Sequence, residues 1–130
     1  MTNTHVPVES AELGETLAAF GIDHADAMQR MLNNSALFKQ LAQHYLTDKN
    51  YESLVRDMQV ADYETAYLHA HTLKGVAGNL SFGRLHELAA QICSALGEAD
   101  AETAQSLMEP LGEAHEKVCA GLDYWQGIDA

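Results

Sequence analysis

Apolar residues recur along this chain every three or four positions, which is the period of an amphipathic α-helix. No segment alternates between apolar and polar residues in the way a half-buried β-strand does. The clearest stripe has the 4-3-4-3 spacing typical of a helix in a bundle, and consists of Ala66, Ala70, Leu73, Ala77 and Leu80. Asp62 precedes this stripe and is expected to cap the helix. The pattern therefore predicts an all-α protein.

Turn-forming residues divide the rest of the pattern into further helices. Two short helices are expected near the N-terminus, one ending at Gly21 and one opening after Asp23, and Asn33-Asn34-Ser35 then supplies a break. The next apolar stripe is interrupted at 48–50 and then resumes, so this segment is predicted to be either one bent helix or two helices. Pro110 should kink or break the last helix. Four long helices with short connections predict an antiparallel four-helix bundle with one or two short additional N-terminal helices.

The composition favours one globular domain over residues 1–130, because 47% of the residues are hydrophobic and only 20% are charged. Seven Lys and Arg against 19 Asp and Glu give a formal charge of −12, which argues against binding to nucleic acid. No stretch reaches the roughly 18 to 20 apolar residues of a membrane span, so a cytoplasmic protein is expected. Cys93 and Cys119 form no metal or redox motif and are expected to be small buried residues.

Candidate chemistry lies on the outer face of the 62–80 helix, around His71. Steps of three and four residues from this histidine define one stripe, which contains Glu64, Tyr67, Leu68, Lys74, Gly75 and Gly78. A glycine inside a helix costs about 1 kcal/mol relative to alanine, so the two glycines need another explanation. We interpret them as clearance that leaves the imidazole open to a partner, with the Lys74 ammonium close by. Together these features describe a phosphoryl acceptor.

Two other kinds of chemistry are disfavoured by the sequence. The chain has seven histidines, but His69 and His71 lie about 200° apart on a helix, and the Glu-x-x-His spacing of metal-binding bundles is absent. We therefore expect no metal site, and we expect His69, His86 and His115 to be solvated or rim residues. No nucleotide-binding loop is present either, so an autonomous kinase is not expected.

The segment Ala-His-Thr-Leu-Lys-Gly-Val-Ala-Gly-Asn-Leu at 70–80 resembles the His-x-Leu-Lys-Gly signature of histidine-containing phosphotransfer (Hpt) domains. Gly21-Ile22-Asp23, the 37–45 helix and Phe82-Gly83-x-Leu85 are also similar to that family. The likeness covers about residues 21–125, which would form the core of an Hpt-like domain.

The resemblance implies a role for each matching residue. His71 corresponds to the phosphorylated histidine, Lys74 to the cation that stabilises the phosphoryl group, and Gly75 to the small residue that admits the partner. Gly78 would add clearance. Many members also place a polar side chain on the following helix near the histidine, for which Gln91 is the candidate, with Cys93 one turn nearby.

The resemblance also implies a function and partners. The chain would be a phosphorelay carrier that takes a phosphoryl group from a receiver-domain aspartate and passes it to another, consumed and regenerated stoichiometrically. Its partners would be response-regulator receivers and a hybrid sensor kinase, docking near Tyr67 and Leu68. No cofactor is expected in this chain, which should be monomeric, and Mg²⁺ should belong to the receiver.

One alternative function remains open at this point. The chain could be a helical adaptor that binds a signalling partner without phosphotransfer. The pattern does not identify the kinase or the response regulator. Met1 and the lack of a trailing linker favour a free-standing shuttle over a piece of a larger hybrid kinase.

Overall fold

A computed structural model describes residues 12–128, and within this range the chain is helical without β-strands. The all-α prediction is confirmed for these residues, whereas 1–11 and 129–130 of the predicted domain lie outside them. The α-helices are α1 (12–19), α2 (His24–Arg30), α3 (Ser35–Gln43), α4 (Asn50–Gln59), α5 (Tyr63–Asn79), α6 (Gly83–Gly97), α7 (Ala101–Ser106) and α8 (Met108–Ile128). None of the helices in this range is both long enough and apolar enough to cross a membrane.

The segment between α2 and α4 is built on side-chain caps. Asn34 caps α3, since its side-chain oxygen accepts the N–H of Leu37 at 3.0 Å. A 3₁₀ helix, His44–Thr47, follows α3, and the chain is extended at Asp48 before α4 begins at Asn50. The carboxylate of Asp48 accepts the N–H of Asn50 at 2.8 Å. The segment is therefore two helices rather than one bent helix.

The helix with the bundle-like stripe, α5, packs against both α4 and α6. Asp62 caps it as predicted, by accepting the N–H of Thr65 at 3.3 Å. The predicted stripe is confirmed as core, because its five members are all buried: Ala66, Ala70, Leu73, Ala77 and Leu80. Burying this stripe leaves the opposite face of α5 at the surface.

The helical segment is interrupted between α7 and α8, close to Pro110, for which a kink or a break was predicted. Leu107 is the C-cap of α7, α8 starts at Met108, and Pro110 lies in the first turn of α8. Proline is tolerated in a first helical turn because its missing N–H would have no intrahelical partner there. α8 then packs on α6 and α3.

The two cysteines were expected to be buried. Cys93 of α6 is buried, whereas Cys119 of α8 is half-buried.

Four of the described connections contain a left-handed residue that is not glycine, and in three of them it is a single residue directly after the C-cap. Ala61, Ser81 and Ala99 have φ values of 59°, 61° and 60° and follow the C-caps of α4, α5 and α6. After α5, the N–H of Ser81 donates to Gly78 and the N–H of Phe82 to Ala77, the two bonds of a Schellman motif. These motifs reverse the chain sharply, which brings α6 back along α5.

Candidate functional site

His71 lies on the exposed face of α5, away from the buried stripe. The ring of Tyr67, one turn earlier, meets it edge to face, with the centroids 6.3 Å apart. Among the described residues, no side chain forms a hydrogen bond with the imidazole of His71. The ring is therefore at the surface and is not engaged by the fold.

Gly75 and Gly78, interpreted from the sequence as one feature, have different surroundings. A Cβ atom on Gly75 would meet no atom of the described residues within 4 Å, so with respect to them the space one turn beyond His71 is open. A Cβ on Gly78 would lie 2.9 Å from Nδ1 of His86. The clearance interpretation is wrong for Gly78, because the space that this glycine leaves is filled by a side chain of α6.

Lys74 lies at the edge of a cleft of about 360 Å³ that it shares with Gly75 and His86. Its side chain is half-buried, and no carboxylate in the described part of the chain pairs with its ammonium. The opposite wall is formed by α2, where Asp26 accepts hydrogen bonds from Arg30 at 2.8 Å and from Ser81 at 2.7 Å. The Arg30 bond, followed by that of Ser81, holds the pKa of Asp26 below its usual value. The Lys74 charge is thus available to a visiting anion.

A second and more apolar cleft, of about 650 Å³, lies on the other side of His71. Its lining includes Tyr67 and Leu68, whose exposed fractions are 36% and 60%. Gly97 of α6 lies under the Tyr67 ring, because a Cβ there would come within 3.3 Å of that ring. His71 therefore lies between a mainly apolar surface and a cleft that contains a cation.

The register between α5 and α6 bears on the predicted polar neighbour of His71. Gly97 faces Tyr67 and His86 faces Gly78, so the stripe of α6 that faces this side of α5 runs from Gly97 to His86. Cys93, seven residues after His86, lies on that stripe, whereas Gln91 is rotated from it by more than 100°. Gln91 is exposed, and it forms no hydrogen bond within residues 12–128. The register therefore places Cys93, and not Gln91, on the side of α6 that faces α5.

Comparison with known proteins agrees with this arrangement. A family model described as the Hpt domain matches residues 15–121, most of the chain. The chain belongs to the Hpt-domain family. Hpt domains take part in histidine phosphotransfer in phosphorelays, where they interact with receiver domains and kinases. No curated protein and no solved structure was found to match the chain.

Three other histidines of this Hpt domain were expected to be solvated or rim residues, and all three are half-buried, but each also has a partner within the fold. Nδ1 of His69 lies 2.5 Å from a carboxylate oxygen of the buried Asp57, and His86 bonds to a backbone carbonyl. His115 is stacked on Tyr51, with the ring centroids 3.9 Å apart, and burial lowers its pKa. Their partners are distant in sequence or belong to the backbone, so helical periodicity carries no signal of them. Within residues 12–128, no group of three or more His, Cys, Asp or Glu is placed to hold a metal ion.

Proposed function

We propose that this Hpt domain carries a phosphoryl group on His71, received from the aspartyl phosphate of one receiver domain and passed to the aspartate of another. One observation supports it above all. The His71 imidazole is exposed without a hydrogen-bond partner in the described chain, and the neighbouring Gly75 leaves open space where a partner could approach. The chain would act as a stoichiometric carrier with no kinase activity of its own.

The proposed chemistry is a nucleophilic displacement at phosphorus. The lone pair of Nε2 of His71 attacks the phosphorus, the P–O bond to the receiver aspartate breaks, and the electron pair of that bond leaves with the carboxylate. A second receiver aspartate reverses the step by attacking the phosphohistidine. Charge builds up on three equatorial oxygens during transfer, and the ammonium of Lys74 would stabilise it. The Mg²⁺ would belong to the receiver, and this chain would supply no cofactor.

The partners in this proposal are receiver domains and a hybrid sensor kinase. Their docking would centre on Tyr67 and Leu68, next to His71, because stable contacts between proteins usually combine an apolar centre with a polar rim. A formal charge of −12 on the whole chain is consistent with a solubilising surface elsewhere.

The fold would place this site on the side of an antiparallel four-helix bundle. Its four rods would be α3 with α4, α5, α6, and α7 with α8, while α1 and α2 would be additional short helices. This arrangement is supported by the packing of α5 on α4 and α6 and of α8 on α6 and α3. We further propose a cytoplasmic monomer with one domain over residues 1–130 and a core at about 21–125.

The proposal is tested by phosphotransfer from receiver domains of the source organism, each charged with radiolabelled acetyl phosphate. Wild-type protein should acquire a label that is labile in acid and stable in alkali, whereas His71→Gln should acquire none. His44→Gln, which changes another exposed histidine, is the matched control and should label normally. Equal labelling of wild type and His71→Gln would contradict the proposal. Binding of a receiver without any labelling would instead favour the adaptor.

A further inference from the structure

His86, in the first half of α6, reaches across to the backbone of α5. Its Nδ1 lies 2.9 Å from the carbonyl oxygen of Lys74. A carbonyl oxygen can only accept a hydrogen bond, so Nδ1 must carry the hydrogen and donate it. This bond links α6 directly to the residue of α5 that carries the free cation of the site.

The sequence of α5 makes room for this bond at Gly78. A Cβ atom on Gly78 would lie 2.9 Å from Nδ1 of His86 and 3.2 Å from Cε1, closer than side chains pack. In an α-helix the N–H of residue 78 is directed at the carbonyl of residue 74, so the His86 ring lies where that carbonyl and the glycine face α6. This contact explains why a glycine occupies a helix interior, where it costs about 1 kcal/mol.

We propose that His86 is a positioning residue for phosphotransfer, which fixes the turn of α5 from Lys74 to Gly78 against α6 and so sets where the Lys74 ammonium lies relative to His71. The proposal rests on the roles assigned above to His71 and Lys74. The side chain of Lys74 starts from the turn to which His86 is bonded, so a displacement of this turn moves the point from which the ammonium reaches the phosphoryl group. Displacements of about 1 Å can cost a reaction about 100-fold in rate, so a bond that anchors this turn has kinetic consequences.

The buried apolar residues between α5 and α6 hold the two helices together without His86. The buried residues of these two helices include Leu73 and Ala77 on α5 and Leu85 and Leu88 on α6. Loss of the His86 bond should therefore leave a folded domain in which one turn of α5 is less firmly held. A purely structural role and a positioning role then differ in their effect on transfer.

Three substitutions of His86 separate the bond from the size of the side chain. The amide nitrogen of asparagine is at the same branch position as Nδ1, so His86→Asn can still donate to the Lys74 carbonyl. His86→Gln places its amide one bond further out, and His86→Leu keeps apolar bulk but has no donor. His71 of each variant would be phosphorylated with phosphoramidate. The rate of phosphoryl transfer from His71 to an unphosphorylated receiver domain would then be measured.

We expect His86→Leu to slow the transfer by about threefold or more, but by no more than Lys74→Ala does. His86→Asn should transfer at a rate within about twofold of wild type. His86→Gln should resemble His86→Leu. The decisive comparison is Lys74→Ala with and without His86→Leu. If His86 acts through Lys74, the double variant should be no slower than Lys74→Ala alone.

If wild type transfers normally, two results would overturn the positioning role. One is an unchanged transfer rate in His86→Leu. The other is that His86→Leu slows transfer by the same factor in the wild-type protein and in the Lys74→Ala variant. Should His86→Leu fail to fold, Gly78→Ala provides the same test, because its Cβ would displace the ring, with Gly127→Ala as control at a glycine that has open space. If wild-type protein never acquires a phosphoryl group on His71, the proposed function itself fails and the positioning role fails with it.

Discussion

Gly75 and Gly78 lie three residues apart on α5, yet a Cβ atom would be unobstructed on the first and would lie 2.9 Å from the His86 ring on the second. The free energy of unfolding should therefore respond oppositely to alanine at the two positions. Gly75→Ala should stabilise the protein by about 1 kcal/mol through helix propensity. Gly78→Ala makes the same gain in helix propensity, but the His86 ring must move away from the Lys74 carbonyl, which costs about 1–3 kcal/mol, so the net change should be a loss of stability of up to about 2 kcal/mol. Urea unfolding of both variants checks this, and an equal gain in both would contradict it.

A large side chain at Gly75 should block the partner while leaving the fold intact. Gly75→Gln would project into the open space beside His71, and we expect transfer to slow by about tenfold or more because the phosphoryl donor cannot reach the imidazole. Circular dichroism should show unchanged helicity. Gly127→Gln, also at a glycine with no atom near its Cβ, serves as the matched control. Normal transfer by Gly75→Gln would remove the steric argument.

Much of the fold follows from periodicity, since the stripe from Ala66 to Leu80 marks the buried face of α5 and thereby the exposed face with His71. The positions of the histidine, the lysine and Gly75 on one face were predictable for the same reason. The role of Gly78 was not, because its neighbour belongs to α6, and helix period gives no information on which residues of two helices meet. The pairing of His69 with Asp57 was missed in the same way.

Sequence signals for the turns were also incomplete. Gly21 marks the end of α1 and has φ of 84°, but Ala61 and Ala99 adopt left-handed backbone without being glycine. Nothing local in the sequence marks an alanine for this conformation. It is imposed by the bonds that the following residues make to the preceding helix, such as Asp100 N–H to the carbonyl of Ala95.

Glycine should relieve the backbone strain at these alanines. Left-handed backbone costs an L-residue roughly 1 kcal/mol, so Ala99→Gly should raise the free energy of unfolding by up to about 1 kcal/mol. Ala90→Gly, inside α6, is the matched control and should lower it by about the same amount. Thermal or urea unfolding distinguishes the two. A loss of stability in Ala99→Gly would show that the conformation carries no strain.

Stability should fall in mild acid because of a buried histidine. His24 packs against Phe38 and Trp125, its Nε2 has no hydrogen-bond partner among residues 12–128, and burial lowers its pKa. Below the unfolded value of about 6.5, the unfolded chain therefore binds more protons than the folded chain, so folding stability is retained above that pH and lost as the pH falls. The pKa of His115 is lowered in the same direction.

The measurement is urea unfolding at several pH values between about 7.5 and 5. His24→Leu cannot titrate and removes a buried atom without a partner, so its stability should depend less steeply on pH and should not be lower than wild type at pH 7.5. His115 would account for the remaining slope. An identical pH dependence in wild type and His24→Leu would exclude His24 as the cause.

Peptide mapping shows most directly which residue of the chain bears the phosphoryl group. Wild-type protein would be charged by a phosphorylated receiver, digested under alkaline conditions that preserve phosphohistidine, and sequenced by mass spectrometry. The account predicts a single added phosphoryl group on His71, with none on His69 or His86. A phosphoryl group on either neighbour, or an unmodified His71 after a receiver has been discharged by the chain, would contradict it.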